Sequence, residues 1–215
     1  MKRALIILSV VCFTTTFSLN AQHISDLDWL LYGGITYPQE PVDWEQNWKW
    51  GFSGGSGVSY RLSPHFAIDG NLDLFSFGFD QFAYGERNPP PMEGARFIDG
   101  HTSYMGALTG SIKYYVLPRA KDVTPYILAG AGPYYFYRDD MVVTVEEIDG
   151  TILEQEFFLE GTSHIGIVLQ GAAGFELTST ENRSYFLEIR YGVGLSGDDT
   201  LQYMPIRLGF RQTIF

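Results

Sequence analysis

Residues 185–195 read Tyr-Phe-Leu-Glu-Ile-Arg-Tyr-Gly-Val-Gly-Leu, and this alternation decides the fold. Successive side chains of an extended strand point to opposite sides. Tyr185, Leu187, Ile189, Tyr191, Val193 and Leu195 therefore share one face, and Phe186, Glu188, Arg190, Gly192 and Gly194 share the other. The run exceeds the roughly 5–6 residues of an ordinary soluble strand. It matches the roughly 9–11 residues of a tilted membrane-crossing strand.

Working outward, the same period recurs. In the last segment Met204, Ile206, Leu208, Phe210 and Ile214 oppose Arg207, Gly209, Arg211 and Thr213. Between 164 and 177, Ile165, Ile167, Leu169, Phe175 and Leu177 oppose His164, Gly166, Gln170 and Glu176. Between 48 and 62, Trp48, Trp50, Phe52, Val58, Tyr60 and Leu62 oppose Lys49, Gly51, Ser53, Gly55, Gly57, Ser59 and Arg61. Eight segments alternate in all, at about 27–37, 48–62, 66–79, 102–117, 123–137, 164–177, 185–195 and 203–214. The 24 Gly, 14 Tyr and 16 Phe suit strands and close backbone approach more than helices.

Charge tests a parity set from apolar residues alone. Eleven charges lie within the segments: Asp28, Lys49, Arg61, Asp69, Asp73, Lys113, Glu176, Glu188, Arg190, Arg207 and Arg211. All of them fall opposite the apolar face. Only the stretch from Tyr126 to Tyr134 has no clear parity and no charge. A lipocalin would also have eight strands, with its apolar face inward around a ligand. Here the polar face is crowded with glycine, as suits the inside of a narrow barrel. The apolar face carries Trp29, Tyr37, Trp48, Trp50 and Tyr60 near its ends, as an interfacial girdle would. The expected architecture is all-β: an eight-stranded, antiparallel, up-and-down transmembrane β-barrel.

The connections agree. Those at Pro64, at Pro118 to Lys121 and at Ser179 to Asn182 are short. Those at Pro38 to Asn47, Asp80 to His101, Arg138 to Ser163 and Ser196 to Gln202 are longer. Short periplasmic turns and longer outer loops are the rule in bacterial barrels. An even strand count then puts both termini on the periplasmic side.

Lys2 and Arg3 precede an apolar run, Ala4 to Phe13, of signal-peptide length, with a cleavage position after Ala21. The run is too short for a membrane-spanning helix, which needs about 20 residues. Cys12 lies inside it, preceded by Ser9-Val10-Val11, without a lipoprotein pattern. The expected division is residues 1–21 as signal and 22–215 as barrel domain. Cleavage removes the one cysteine, so no disulfide framework exists. The remaining 194 residues carry a formal charge of −13, which argues against nucleic acid as a partner.

The barrel pattern, the stretch Thr124-Pro-Tyr-Ile-Leu-Ala-Gly-Ala-Gly132 and the terminal Phe215 together resemble the outer membrane protein beta-barrel domain, or small porin-like, family. That family is similar to the transmembrane domains of OmpA and OmpX. The resemblance covers the whole mature chain and implies a Gram-negative outer-membrane location. It also implies that Phe215 acts as the assembly signal read by the barrel-insertion machinery, although Thr213 stands where the family often has an aromatic.

Several groups of residues bear on function. Asp69, Asp73, Lys113, Glu188, Arg190, Arg207 and Arg211 are expected to form a charge network in the lumen, because low-dielectric charges must pair. The last two strands should pair with residue numbers summing to about 396, which sets Arg207 opposite the stretch Glu188 to Arg190. His101 and His164, with Ser163 and Tyr104 nearby, allow a hydrolytic reading. Yet Ser163 and His164 point to opposite faces of a regular strand. Arg138 to Glu160 holds eight acids and one Arg. Asp149-Gly150 between β-prone arms signals a hairpin, displaying Glu146, Glu147, Asp149, Gly150, Glu154 and Glu156. Trp44, Trp48 and Trp50 suit a girdle with one loop aromatic, or a sugar-stacking cluster. The expected function is non-enzymatic, with a structural or surface-interaction role. The expected partners are outer-membrane lipid, the insertion machinery and a surface protein ligand, and no cofactor is expected. A narrow porin-like channel is the alternative, followed by a lipid-modifying enzyme.

Protein recovered from outer membranes should lack residues 1–21 and migrate faster in gels before boiling than after. Intact mass checks the first point, and retention of Met1 would refute it.

Overall fold

The computed structural model describes residues 27–40, 48–80, 82–83, 86, 96–97, 102–117, 122–138, 141–146, 152–159, 161–180, 182–197 and 199–214; for 96–97, 141–146, 152–159 and 199 it describes the backbone. The strands in chain order are β1 (Leu27–Glu40), β2 (Trp48–Arg61), β3 (Phe66–Phe79), β4 (Arg96–Phe97), β5 (Ser103–Tyr115), β6 (Val123–Arg138), β7 (Met141–Glu146), β8 (Ile152–Leu159), β9 (Thr162–Thr180), β10 (Arg183–Ser196) and β11 (Asp199–Thr213). Eight of them close a barrel in the order β1-β11-β10-β9-β6-β5-β3-β2, each antiparallel to its neighbours. The chain therefore goes up and down, and β1 meets β11 to complete the ring. Closure leaves no open edge in the barrel wall, which is the only way a sheet can satisfy its backbone in hydrocarbon.

The alternation of the sequence becomes an inside and an outside. Leu31, Leu72, Leu108, Ile112, Ile127, Ile167, Leu169, Ile189 and Leu208 are exposed. An apolar belt of this extent has no place in water. Trp29, Tyr60, Phe66 and Tyr185 lie exposed toward the end that holds Leu27, and Trp50, Tyr104, Tyr135 and Tyr191 toward the other. Inside, Asp28, Asp69, Asp73, Lys113, Glu176, Glu188, Arg190, Arg207 and Arg211 are each at most 4% exposed. Charges inward and hydrocarbon outward is the reverse of a lipocalin.

Three details differ from the alternation read above, and each has a local cause. The register of β2 against β3 shifts between Trp48 and Gly51. This β-bulge inserts a residue and reverses parity beyond it. Trp48 consequently faces the lumen at 4% exposure instead of joining the girdle, and Lys49 is exposed outside. β11 begins at Asp199 instead of 203, because Gly197 takes φ +58° and makes a tight turn that pairs Ser196 with Asp199. The β10–β11 ladder sums to 395, with Glu188 opposite Arg207. An odd sum is required, since the inward residues are even-numbered in β10 and odd-numbered in β11.

The inward glycines are packed tight. A Cβ on Gly34 would lie 1.9 Å from the Ile206 carbonyl oxygen, and one on Gly132 would lie 1.9 Å from that of Leu108. On Gly209 it would meet the Phe186 ring at 2.1 Å, and on Gly192 the Tyr203 ring at 2.5 Å. Outward Gly110, by contrast, has nothing within 4 Å.

Gly34→Ala and Gly132→Ala are expected to lose about 1–3 kcal/mol or more, since overpacking against backbone has no cheap relief. Gly110→Ala should stay within about 0.5 kcal/mol. Ile189→Arg, on the belt, should lose about 2–4 kcal/mol if it sits near the midplane. Urea unfolding in detergent or lipid measures all of these. Equal effects of Gly34→Ala and Gly110→Ala would contradict the assignment of faces.

Candidate functional site

Among the described residues the lumen gathers a network of ionisable groups, and it has two zones. Toward the end that holds the termini, β1, β3, β5, β9, β10 and β11 each direct charge inward. Asp69 on β3 meets Lys113 on β5 at 2.6 Å. The Lys113 ammonium also lies over the Tyr126 ring, 4.6 Å from its centroid. Asp73 binds Arg207 at 2.9 Å, accepts a 2.6 Å hydrogen bond from the Tyr32 hydroxyl, and lies 3.9 Å from Arg190. Glu188 accepts from Arg190 Nε at 2.5 Å and from the Tyr126 hydroxyl at 3.1 Å. Arg211 donates to Asp28 at 3.1 Å and to the Tyr115 hydroxyl at 2.8 Å, with Glu176 3.5 Å away. Glu176 also accepts from Ser184 at 2.7 Å.

The seven lumen residues singled out in the sequence thus all face one interior. Glu188 takes Arg190, two residues along its own strand. Arg207, directly across the ladder from Glu188, instead reaches Asp73 on the far side of the barrel. The lumen is therefore cross-braced and not merely lined. Pairing at this depth offsets the large cost of removing ions from water, and a single broken partner leaves that cost uncovered. Tyr32, Tyr115 and Tyr126 were not singled out as lumen groups, yet their hydroxyls join the carboxylates. An inward tyrosine reads as apolar in a hydropathy pattern, which conceals it.

Toward the other end the interior is apolar. Trp48, Phe75, Phe77, Phe79, Met105, Tyr134, Phe136, Val168, Leu201 and Tyr203 form one buried cluster. Trp48 packs edge-on against Phe79 at 5.4 Å, with the Arg138 guanidinium 5.5 Å from its ring. Phe75 meets Tyr203 at 5.0 Å. His164 stacks on Phe136 at 5.1 Å and meets Tyr134 edge-on at 5.8 Å. An eight-stranded barrel is just wide enough for its side chains to fill, and this cluster is buried within it.

The remaining candidates fare as follows. Ser163 is exposed on the outer face, while His164 points into the aromatic cluster. They do not form the hydrogen-bonded pair that nucleophilic catalysis needs. Trp48 is inside the barrel and takes no part in a sugar-stacking surface. Trp50 remains outside at 64% exposure, 5.0 Å from Tyr37. β7 and β8 pair antiparallel, Glu146 with Ile152 and Thr144 with Glu154, and Glu156 lies within β8. This ribbon belongs to a sheet separate from the barrel, in the order β4-β7-β8. Residues 1–21, Trp44, His101, Glu147, Asp149, Gly150 and Phe215 lie outside the described residues.

No family model and no curated protein sequence matches the chain. Solved structures do. Neisserial surface protein A aligns with a TM-score of 0.56 at 13% identity, over 87% of this chain and 97% of its own. The chain has the fold of the small outer-membrane barrels. Two further matches are weaker in superposition. Ail, the attachment invasion locus protein of Yersinia pestis, has a TM-score of 0.44 at 13% identity, covering 87% of this chain and 99% of its own. The N-terminal barrel domain of Pseudomonas aeruginosa OprF has 0.43 at 12%, covering 87% and 97%.

Glu188→Gln should destabilise the barrel by about 3–5 kcal/mol, the usual loss when one partner of a buried pair is removed. It should also raise conductance in planar bilayers by loosening the charged zone. An unfolding midpoint and a conductance both equal to those of the unmodified protein would refute the cross-brace.

Proposed function

We propose that this is a non-enzymatic integral outer-membrane barrel with both termini periplasmic, whose role lies in surface interaction through the acidic β7–β8 ribbon. The observation that supports it most is the contrast between the two sheets. The barrel interior holds paired charges and a buried aromatic cluster, while β7 and β8 form a second sheet that the barrel does not need for closure.

The ribbon is not a bare hairpin. β7 carries a further partner on its outer side, where Arg96 pairs with Glu146 and Phe97 with Val145. Of the ribbon's two edges, that of β7 is thus taken in part by the chain itself. Among the described residues β8 is the last strand of this sheet, and its outer edge can take a partner's strand in the manner of β-strand addition. The acids of the stretch from Arg138 to Glu160 keep such an edge soluble, deter self-pairing and favour a basic partner.

Deleting residues 141–158 is expected to leave a barrel that still inserts and still shifts its mobility on heating. The same deletion should abolish binding to a basic surface protein on host or neighbouring cells. Failure to insert would make the loop structural. Insertion with binding intact would remove the interaction role and favour the channel reading, which single-channel recording would then test.

A further inference from the structure

The outer wall of the barrel is not evenly covered. Near the end away from the termini, the ladder sets two outward rows beside each other. One reads Phe52, Ser76, Tyr104, Tyr137 across β2, β3, β5 and β6; the next reads Gly54, Leu74, Gly106, Tyr135. Across β2, β3 and β5 large and small side chains alternate in both directions, and Tyr135 and Tyr137 of β6 stand at one side, so Gly54, Ser76 and Gly106 leave a floor between taller neighbours. The result is a recess of about 680 Å³ in the wall, within the about 300–1,000 Å³ of small-ligand sites. Phe52, Leu74 and Tyr104 stand around it at 74%, 60% and 53% exposure.

We infer that this recess is a discrete binding site for one acyl chain of a lipid in the surrounding bilayer. The site rests on the membrane-spanning reading but not on the surface-interaction role. Three observations fix the occupant. The recess opens onto the apolar outer face and no charged residue lines it, so whatever fills it comes from the hydrocarbon and not from water. Its lining is almost wholly apolar and aromatic, with no charged residue. It lies among the aromatic residues of one interfacial girdle, where a chain can lie in the wall while its headgroup stays at the tyrosine level. A filled groove also restores the dispersion contacts that an under-packed wall lacks.

The glycines supply the test. A Cβ on Gly106 would meet Leu74 Cδ2 at 3.6 Å, and one on Gly54 the Tyr32 carbonyl oxygen at 3.7 Å, both ordinary contacts. Leucine at either position therefore occupies the recess without straining the strand. The full-length protein would be inserted into phosphatidylethanolamine and phosphatidylglycerol vesicles. A trace of phosphatidylcholine in those vesicles would bear a photoactivatable diazirine on one acyl chain, within the first few carbons below the headgroup, at the depth of the recess. Peptide mapping should find adducts on Phe52, Leu74, Tyr104 and Tyr135 about tenfold above those on Leu187, Ile189 and Leu208, a decade of site preference. Gly106→Leu should lower them to the level of the rest of the belt, and Gly110→Leu, outside the recess, should leave them unchanged. Labelling spread evenly around the belt, or surviving Gly106→Leu, would overturn the site. Links between two copies through these residues would overturn it in favour of a dimer contact. Absence of labelling everywhere on the belt would instead sink the membrane reading. If neither Gly106→Leu nor Gly54→Leu inserted, native mass spectrometry on the unmodified protein would decide. One lipid retained per barrel after detergent exchange supports the site, and none overturns it.

Discussion

Everything in this molecule follows from the requirement that a sheet crossing hydrocarbon leave no backbone donor or acceptor unpaired. The first and last strands must meet, and β1 meets β11 along nearly its whole length. Once the ring is closed the side chains have only two destinations. The outward set takes lipid, so along the belt it must be free of charge, and the outward Lys49 lies at the end of β2. The inward set must fill a cylinder of fixed width, so its total volume is constrained as strictly as its polarity. The glycines on the inner face are part of that volume constraint. Gly209 makes room for Phe186, and Gly192 for Tyr203.

Two solutions to the filling problem sit end to end. One is ionic and the other aromatic, and they impose different kinds of order. The ionic zone ties strands that are far apart in the ring, as Arg207 on β11 does with Asp73 on β3. It stabilises only if nearly every member is present, because each carboxylate offsets the burial of a guanidinium or ammonium. The aromatic zone is tolerant of detail and intolerant of water. A through-pore would have to breach both, and the two call for different perturbations.

The legibility of the fold divides along the same line. Where the interior is ionic, inside and outside differ in polarity and the period of two is plain. In β10 the apolar run stands out against Glu188 and Arg190, and in the lower half of β11 against Arg207 and Arg211. Where the interior is aromatic, both faces are apolar and the period fades. The stretch Tyr126 to Tyr134 had no evident parity because its own inward side chains are apolar or aromatic: Tyr126 and Leu128 point inward beside the ionic zone and Tyr134 into the aromatic one. β11 was expected to start late for the same reason, since Leu201 and Tyr203 are inward and apolar. Trp48 was misplaced for a further reason. A bulge is a property of the pairing between two strands, and β2 alone carries no mark of it. The cross-lumen partners were hidden likewise: the register sets Glu188 beside Arg207, but side-chain length and the width of the barrel decide that Asp73 takes Arg207 instead.

The small sheet outside the barrel has a consequence of another kind. Phe97 and Val145 come from different loops, yet they are neighbours on one sheet. An antibody that binds the folded sheet reads a composite epitope drawn from both loops. Neither loop made as a synthetic peptide presents it. Serum raised against such a peptide would recognise the denatured chain better than the native surface, and sequence drift in one loop would alter the antigenic identity of the other.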